Sequence, residues 1–361
     1  MMNFNSIDLF AGGGGLSEGL KQAGFNVISA VENNNVAAET FRHNNKEAVL
    51  FDQDIRFVSG KEILKQCNLK KGELELLAGC PPCQGFSSLT LKYNKDDERN
   101  SLISEVSRLI SELEPKTVMV ENVPGIIDKG SPFLCAFIKT IERLGYIVNY
   151  DVLQVADYGI PQDRRRFVLL AGKGFEIKIP KPTHSKLGKD DLPKWKTVQD
   201  AFKGLDEPIS LKKSASYGGP RQFNWHVTRD TAPINIERLK YLKPGGQRFD
   251  IPDHLRPKCH QGKNTGFGNV YSRMSWDEAS PTITGGCTTL SKGRFGHPEQ
   301  LRTISVREAA RLQTFPDEFE FATDLVDHAC QIIGNALPCE FAKKMSEACY
   351  QAIKENNQLK G

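Results

Sequence analysis

The chain has 361 residues, 39% of them hydrophobic, and a net charge of only +4. That is enough for two domains, or one enlarged domain, around a sizeable core. No apolar run approaches the ~20 residues that span a bilayer, and the N-terminus lacks the basic patch and apolar stretch of a signal peptide, so a soluble cytoplasmic protein with no membrane partner is expected. Nine scattered cysteines do not make a secreted disulfide framework. No second close pair repeats the Cys80/Cys83 spacing, so no metal site is expected.

The first ~170 residues alternate short apolar runs with amphipathic stretches, the pattern of a doubly wound α/β domain. Ile7 to Phe10 reads as a first strand, followed by four consecutive glycines, Gly12 to Gly15, and a helix from about Leu16 to Ala23. Such a loop lets a ligand approach the backbone closely and aims free amides at it. The dinucleotide fingerprint G-x-G-x-x-G fails here by position, because Ser17 and Glu18 stand where its last glycine would fall. Val27 to Val31 reads as a second strand ending at Glu32, which is placed to accept ribose hydroxyls. Asn33 to Arg42 reads as a helix.

Leu74 to Ala78 predicts a buried strand leading into Gly-Cys-Pro-Pro-Cys-Gln-Gly-Phe-Ser, residues 79 to 87. Pro81 and Pro82 end that strand and fix the backbone before Cys83. A thiol on a stiff turn is a candidate nucleophile, whereas Cys80-x-x-Cys83 also has the spacing of a redox dithiol. Residues 87 to 100 read as a polar loop able to close over a substrate. Thr117 to Val120 is a further buried strand, with Glu121-Asn122 at its carboxyl end, where open α/β sheets collect ligands. A half-buried carboxyl there can carry a proton at neutral pH. Gln162-Asp163-Arg164-Arg165-Arg166 precedes another strand at Val168 to Ala171.

From Lys173 to Gln300 the composition changes. This stretch holds 22 Lys+Arg against 13 Asp+Glu and 11 of the 19 prolines, which predicts a separate, irregular domain of short strands and loops with a polyanionic partner. Ser305-Val306-Arg307-Glu308 is a capping box opening a helix, and a last helix runs from about Glu340 to Lys354.

Taken together, these segments resemble the DNA cytosine methyltransferases that modify carbon 5, bacterial or phage type, along essentially the whole chain. Asp8 to Gly15 is similar to the family's S-adenosylmethionine loop, Gly79 to Ser87 to its Pro-Cys-Gln segment, and Glu121-Asn122-Val123 to its Glu-Asn-Val. Gln162, Arg164 and Arg166 match Gln-x-Arg-x-Arg. Arg307 to Asp317 resembles the Arg-Glu-x-Ala-Arg-x-Gln-x-Phe-Pro block, and Gln331 to Pro338 the final Gly-Asn-Ala block. The departures are a fourth glycine in the first loop and Cys339 where a second proline is frequent.

The resemblance implies a Rossmann-like methyltransferase domain at 1–172, a smaller target-recognition domain at 173–300, and a C-terminal segment, 301–361, returning to the catalytic domain. It implies Cys83 as nucleophile on carbon 6 of a flipped-out cytosine, with Cys80 a bystander. Glu121 would act at ring nitrogen 3, Arg166 would hold the cytosine oxygen and orient Glu121, and Arg164 would help on phosphate or base. For S-adenosylmethionine it implies Phe10 on the adenine and Gly12 and Gly14 at the methionine end. Glu32 would take the ribose and Asp54 the adenine amino group, with Asn335 and Ala336 completing the pocket. DNA contacts are expected from Ser87, Gln162, Thr282 and Thr284. The implied partner is double-stranded DNA, bound by a monomer in the nucleoid; the chain is expected to be either the modification enzyme of a restriction-modification system, with a companion restriction endonuclease, or an orphan methyltransferase. A transfer-RNA methyltransferase is the near rival, but its Cys-Phe-Thr tripeptide is absent from the sequence.

Overall fold

A computed structural model describes residues 4–82, 102–128, 130–263, 265–266 and 268–360. Cys83, Ser87 and the loop expected over 87–100 therefore lie outside the described residues. Contacts divide the chain into two units: 1–158, 165–182 and 337–361 form the first, and 159–164 with 183–336 the second.

The first unit is an α/β sheet domain. In chain order it contains β1 (Phe4–Leu9), α1 (Gly15–Gln22), β2 (Phe25–Val31), α2 (Asn35–Asn44), β3 (Val49–Phe51), α3 (Gly60–Gln66) and β4 (Leu76–Gly79). It continues with α4 (Leu102–Leu113), β5 (Thr117–Asn122), α5 (Ser131–Arg143), β6 (Tyr146–Gln154) and β7 (Arg165–Lys173), and closes with the helix Cys339–Lys360. The seven strands lie in the order β3-β2-β1-β4-β5-β7-β6. The first five run parallel, whereas β7 is antiparallel to both β5 and β6. Strand order reverses between β1 and β4, and ligands of open α/β sheets bind at such a switch point, beyond the carboxyl ends of the strands.

The period of two along each strand sorts the side chains onto two faces. Ile7 and Leu9 of β1, Val118 and Val120 of β5, and Phe167, Leu169 and Ala171 of β7 enter one buried cluster with Ile63, Leu109, Phe137 and Ile141 from α3, α4 and α5. The alternate residues face α1 and the C-terminal helix: Asp8 accepts from Ser17 of α1, and Met119 meets Ser346. Glu121 and Arg166 share this second face by the same alternation.

Several elements were not singled out in the sequence, among them β3, α3, α4, α5 and β6. β6 was not expected, because its residues are mostly half-exposed or exposed and its apolar pattern is interrupted by Asn149 and Asp151; it is an edge strand. β5 ends at Glu121 and Asn122 as expected, and both belong to the strand.

The second unit contains α6 (Val198–Phe202), α7 (Leu211–Ala215), α8 (Pro233–Lys240), α9 (Val306–Leu312) and α10 (Val326–Asn335). Its described strands are two-residue pairs: Ile209–Ser210 with Val227–Thr228, and Gln162–Asp163 with Ser280–Pro281. The capping box at Ser305 forms as expected, and Ala309, Ala310 and Leu312 are buried. Residues 301–336 thus cluster with this unit, and only the chain from Leu337 onward clusters with the first. The loop at Thr284–Gly285 crosses α10 so closely that a Cβ on Gly334 would lie 2.1 Å from the Gly285 nitrogen. Gly334→Ala is therefore expected to force backbone apart and destabilise the protein by on the order of 2–4 kcal/mol, read as a lower midpoint in urea at unchanged slope.

Candidate functional site

At the switch point, the carboxyl ends of β1 and β4 bring together the glycine loop and the segment Cys80–Pro82, and the Cys80 amide donates to the Leu9 carbonyl at 3.3 Å. Phe10 opens the loop with φ of 59° and Gly12 follows at 55°, a left-handed path that costs little only at glycine. Nothing lies within 4 Å of where a Gly12 Cβ would sit, so the loop leaves open space on that side. Glu32, at the end of β2, ties the loop down. One carboxylate oxygen accepts from Gly12 N at 2.7 Å and the other from Asn34 N at 2.7 Å. Each oxygen retains a lone pair that can take a hydroxyl.

Asp54 is spent differently. It caps the turn Ile55–Phe57, accepting from the Arg56 amide at 2.9 Å, and its two oxygens take Arg56 Nε at 3.0 Å and Nη2 at 2.7 Å. These bonds hold its carboxyl below the usual range.

One strand further along the sheet, the β5–β7 register pairs Glu121 with Val168. Arg166, two residues away, is therefore the diagonal neighbour of Glu121 on the same face. Arg166 Nε donates to Glu121 Oε1 at 2.8 Å, with the two side chains 13% and 10% exposed. Removing one partner from so enclosed a pair strands the other charge, at roughly 3–5 kcal/mol. Burial lowers the Arg166 guanidinium, and Glu121 offsets that effect. Asn122 Nδ2 donates to the Pro81 carbonyl at 3.1 Å, which fastens the β5 end to the proline segment leading to Cys83. The Cys80 thiol is pushed well above its ordinary value, first by burial and then by the carboxylates of Glu121 and Asp8. A Cys-x-x-Cys oxidoreductase needs a stabilised thiolate, and this environment does the opposite.

Gln162 and Arg164 of the sequence-derived site are bound within the protein. Gln162 is fully buried. Its Oε1 accepts from Ile283 N at 3.1 Å, and its Nε2 donates to Leu312 O at 3.2 Å and Gln313 Oε1 at 2.7 Å. Arg164, only 5% exposed, donates to Gln162 Oε1 and Ile283 O, both at 3.4 Å. Their amide and guanidinium groups bond within the protein, at the stretch 282–284 and at Leu312 and Gln313. Of that stretch, Thr282 donates to the Asp163 carbonyl at 3.2 Å, and Thr284 is exposed. Asn335 is the exposed last residue of α10, and Ala336 follows it.

Two buried residues carry structure that the sequence did not single out. Gln313 passes the hydrogen-bond chain on, donating to Ile333 O at 2.6 Å and Ala336 O at 3.0 Å. Asp8 lies fully buried on β1, accepting from Ser17 Oγ at 2.6 Å, and its Oδ1 has no partner among the described residues. The signal for Asp8 was a lone acid inside an apolar strand. No cluster of three or more His, Cys, Asp or Glu able to hold a metal occurs among the described residues, and none of their helices is long and apolar enough to cross a membrane.

Burial raises the Asp8 carboxyl to about 7, the Ser17 bond opposes this, and Glu32 adds to it. Because the folded value lies above the unfolded one, stability is full below about pH 4 and falls as pH rises through 7. Asp8→Asn removes that dependence. By pH 8 it is expected to be more stable than the parent by roughly 2–4 kcal/mol, with no advantage near pH 4, as thermal melts at the two pH values would show.

The C-5 cytosine-specific DNA methylase family model matches residues 4–351. Type II methylase M.HgiDII of Herpetosiphon aurantiacus is 38% identical over 95% of this chain and 94% of that protein. Type II methyltransferase M1.HphI of Haemophilus parahaemolyticus is 33% identical over 96% of this chain and 87% of that protein. Among solved structures, a prophage-encoded E. coli protein described as a DNA modification methyltransferase superposes with a TM-score of 0.74 at 25% identity, over 98% of this chain and all of that one.

Proposed function

The chain belongs to the C-5 cytosine-specific DNA methylase family and is a DNA (cytosine-5-)-methyltransferase, and on that premise we propose that it acts through a covalent bond from Cys83 to carbon 6 of a cytosine rotated out of duplex DNA. Carbon 5 of cytosine is a weak nucleophile, and addition of a thiolate at carbon 6 makes it enamine-like. The observation that supports this reading is Glu121, held on one oxygen by Arg166 and tied through Asn122 to the segment that leads to Cys83. Glu121 then protonates or hydrogen-bonds ring nitrogen 3 as the sulfur adds, so that charge does not build up on the ring. Arg166 keeps that carboxyl aimed and offers its remaining N–H groups to the cytosine oxygen. Loss of the carbon-5 proton and departure of the Cys83 sulfur restore the ring. Both faces and the pairing edge of the base must be reachable, and extruding it costs a few kcal/mol.

S-adenosylmethionine fits the open side of the glycine loop, and when bound it supplies the methyl group. Gly12 and Gly14 admit its methionine end, Phe10 offers a ring to the adenine, and Glu32 offers its free lone pairs to the ribose. Asp54, already bound through both oxygens by Arg56, is the least suited of the set; Asn335 and Ala336 are assigned to it by the resemblance alone. Ser87, outside the described residues, and the exposed Thr284 are candidate DNA contacts, as is Thr282, which donates to the Asp163 carbonyl. The stretch 173–300 is the target-recognition region. The two relatives named above are Type II enzymes, so a companion restriction endonuclease is part of the proposal, as is action by a monomer.

The test is incubation with S-adenosylmethionine and duplexes carrying 5-fluorocytosine, which blocks the final elimination. A denaturant-stable protein–DNA adduct is expected, retained in Cys80→Ser and absent in Cys83→Ala. A full yield of adduct from Cys83→Ala, or none from parent protein that binds donor and duplex, would refute the mechanism.

A further inference from the structure

Most cations of the second unit are already committed. Arg221, Arg229, Lys240, Arg294, Arg302 and Arg311 pair with carboxylates. Arg256 and Arg273 are buried and donate to backbone carbonyls. Lys186, Lys189, Lys194 and Lys196 are exposed, as are other lysines of the unit with no carboxylate partner among the described residues, but these four lie within eleven residues of one loop.

The loop that carries them is built around Ser185. Ser185 N donates to Pro193 O at 2.9 Å, and its carbonyl accepts from Trp195 N at 3.1 Å and Gly188 N at 3.3 Å. Its hydroxyl accepts from Lys189 N at 2.7 Å and donates to Lys189 O at 3.3 Å. Lys186 Nζ sits 5.5 Å from the centre of the Trp195 ring, and the Lys194 stem lies against Gly188. Leu187 is 66% exposed on the same loop. Asp190 and Asp191, both in left-handed backbone, are its acids. Four lysines without a carboxylate partner on a pre-folded loop suit a ligand of regularly spaced negative charge, since little ordering entropy is spent on binding. An exposed leucine between them suits the apolar sugar edge of a groove.

We propose that the loop Ser185–Lys196 is a sequence-independent contact with the phosphate backbone of duplex DNA, its lysines on phosphates and Leu187 against the sugar edge. The assignment rests on the reading of the chain as a DNA enzyme and adds a binding element to it. The charge on the loop favours a polyanion over a protein partner.

The test is binding of the full chain to a fluorescent alternating dA·dT duplex, which contains no cytosine, across a salt series. Changing Lys186, Lys189, Lys194 and Lys196 to Gln together should make the plot of log K against log salt shallower by about 2–4 and weaken binding on the order of 10- to 100-fold at low salt. Leu187→Ser should weaken binding about fivefold at unchanged slope. The control replaces Lys21, Lys71, Lys343 and Lys344, all ion-paired, by Gln for the same change in net charge, and should shift the slope by less than one. Equal slopes in the two quadruple variants would overturn the loop assignment while leaving the enzyme reading intact, and unchanged binding in Leu187→Ser would remove the leucine contact. A parent protein that binds no duplex at any salt would overturn both the loop and the reading on which it rests.

Discussion

The reversal of β7 is the constraint on which the candidate site depends. A parallel strand beside β5 would carry its first residues to the far edge of the sheet. Run antiparallel, β7 brings its N-terminal residues beside the carboxyl end of β5, and the register sets Arg166 diagonal to Glu121 on one face. The alternation that sends Val118 and Val120 into the apolar cluster sends Glu121 to the opposite face. The ion pair thus follows from strand direction and period. The Arg166 side chain is only 13% exposed, which keeps the guanidinium from drifting to solvent and fixes one oxygen of Glu121. A carboxyl that must meet one ring nitrogen gains from such fixing, because misplacement of a catalytic group by an ångström costs orders of magnitude in rate.

In the second unit a chain of buried amides does comparable work. Ile283, Gln162, Gln313 and Ala336 are linked in sequence by hydrogen bonds, joining segments more than 100 residues apart. Buried amides are costly unless each donor and acceptor is satisfied, so the chain holds as a set or fails as a set. Gly334 completes the arrangement by letting the 284–285 loop lie directly on α10.

Much of this was legible in the sequence where a local rule applied. β1, β2, β4 and β5 were marked by apolar runs, α9 by its capping box, and the switch-point loop by its glycines. The edge strand β6 was not, since one side of it lacks a neighbour and its pattern answers to solvent. Side-chain direction was the other gap. Gln162 and Arg164 stand in a motif that resembles a DNA-handling one, yet only the fold shows them turned inward. Likewise, charge counting treats Arg256 and Arg273 as surface cations, whereas both spend their donors on buried carbonyls. Asp8 was visible as a residue but not as a buried acid, because burial of one strand position depends on α1 packing over it.

Release of tritium from carbon 5 of [5-³H]cytosine in duplex DNA probes ring activation most directly, since that hydrogen leaves only after carbon 5 has become nucleophilic. The account predicts release by the parent protein and a fall of about 10²–10⁴-fold in Glu121→Gln, with the variant shown by circular dichroism to be folded and still binding duplex. Release at the parental rate from folded Glu121→Gln would contradict the role assigned to the Glu121–Arg166 pair.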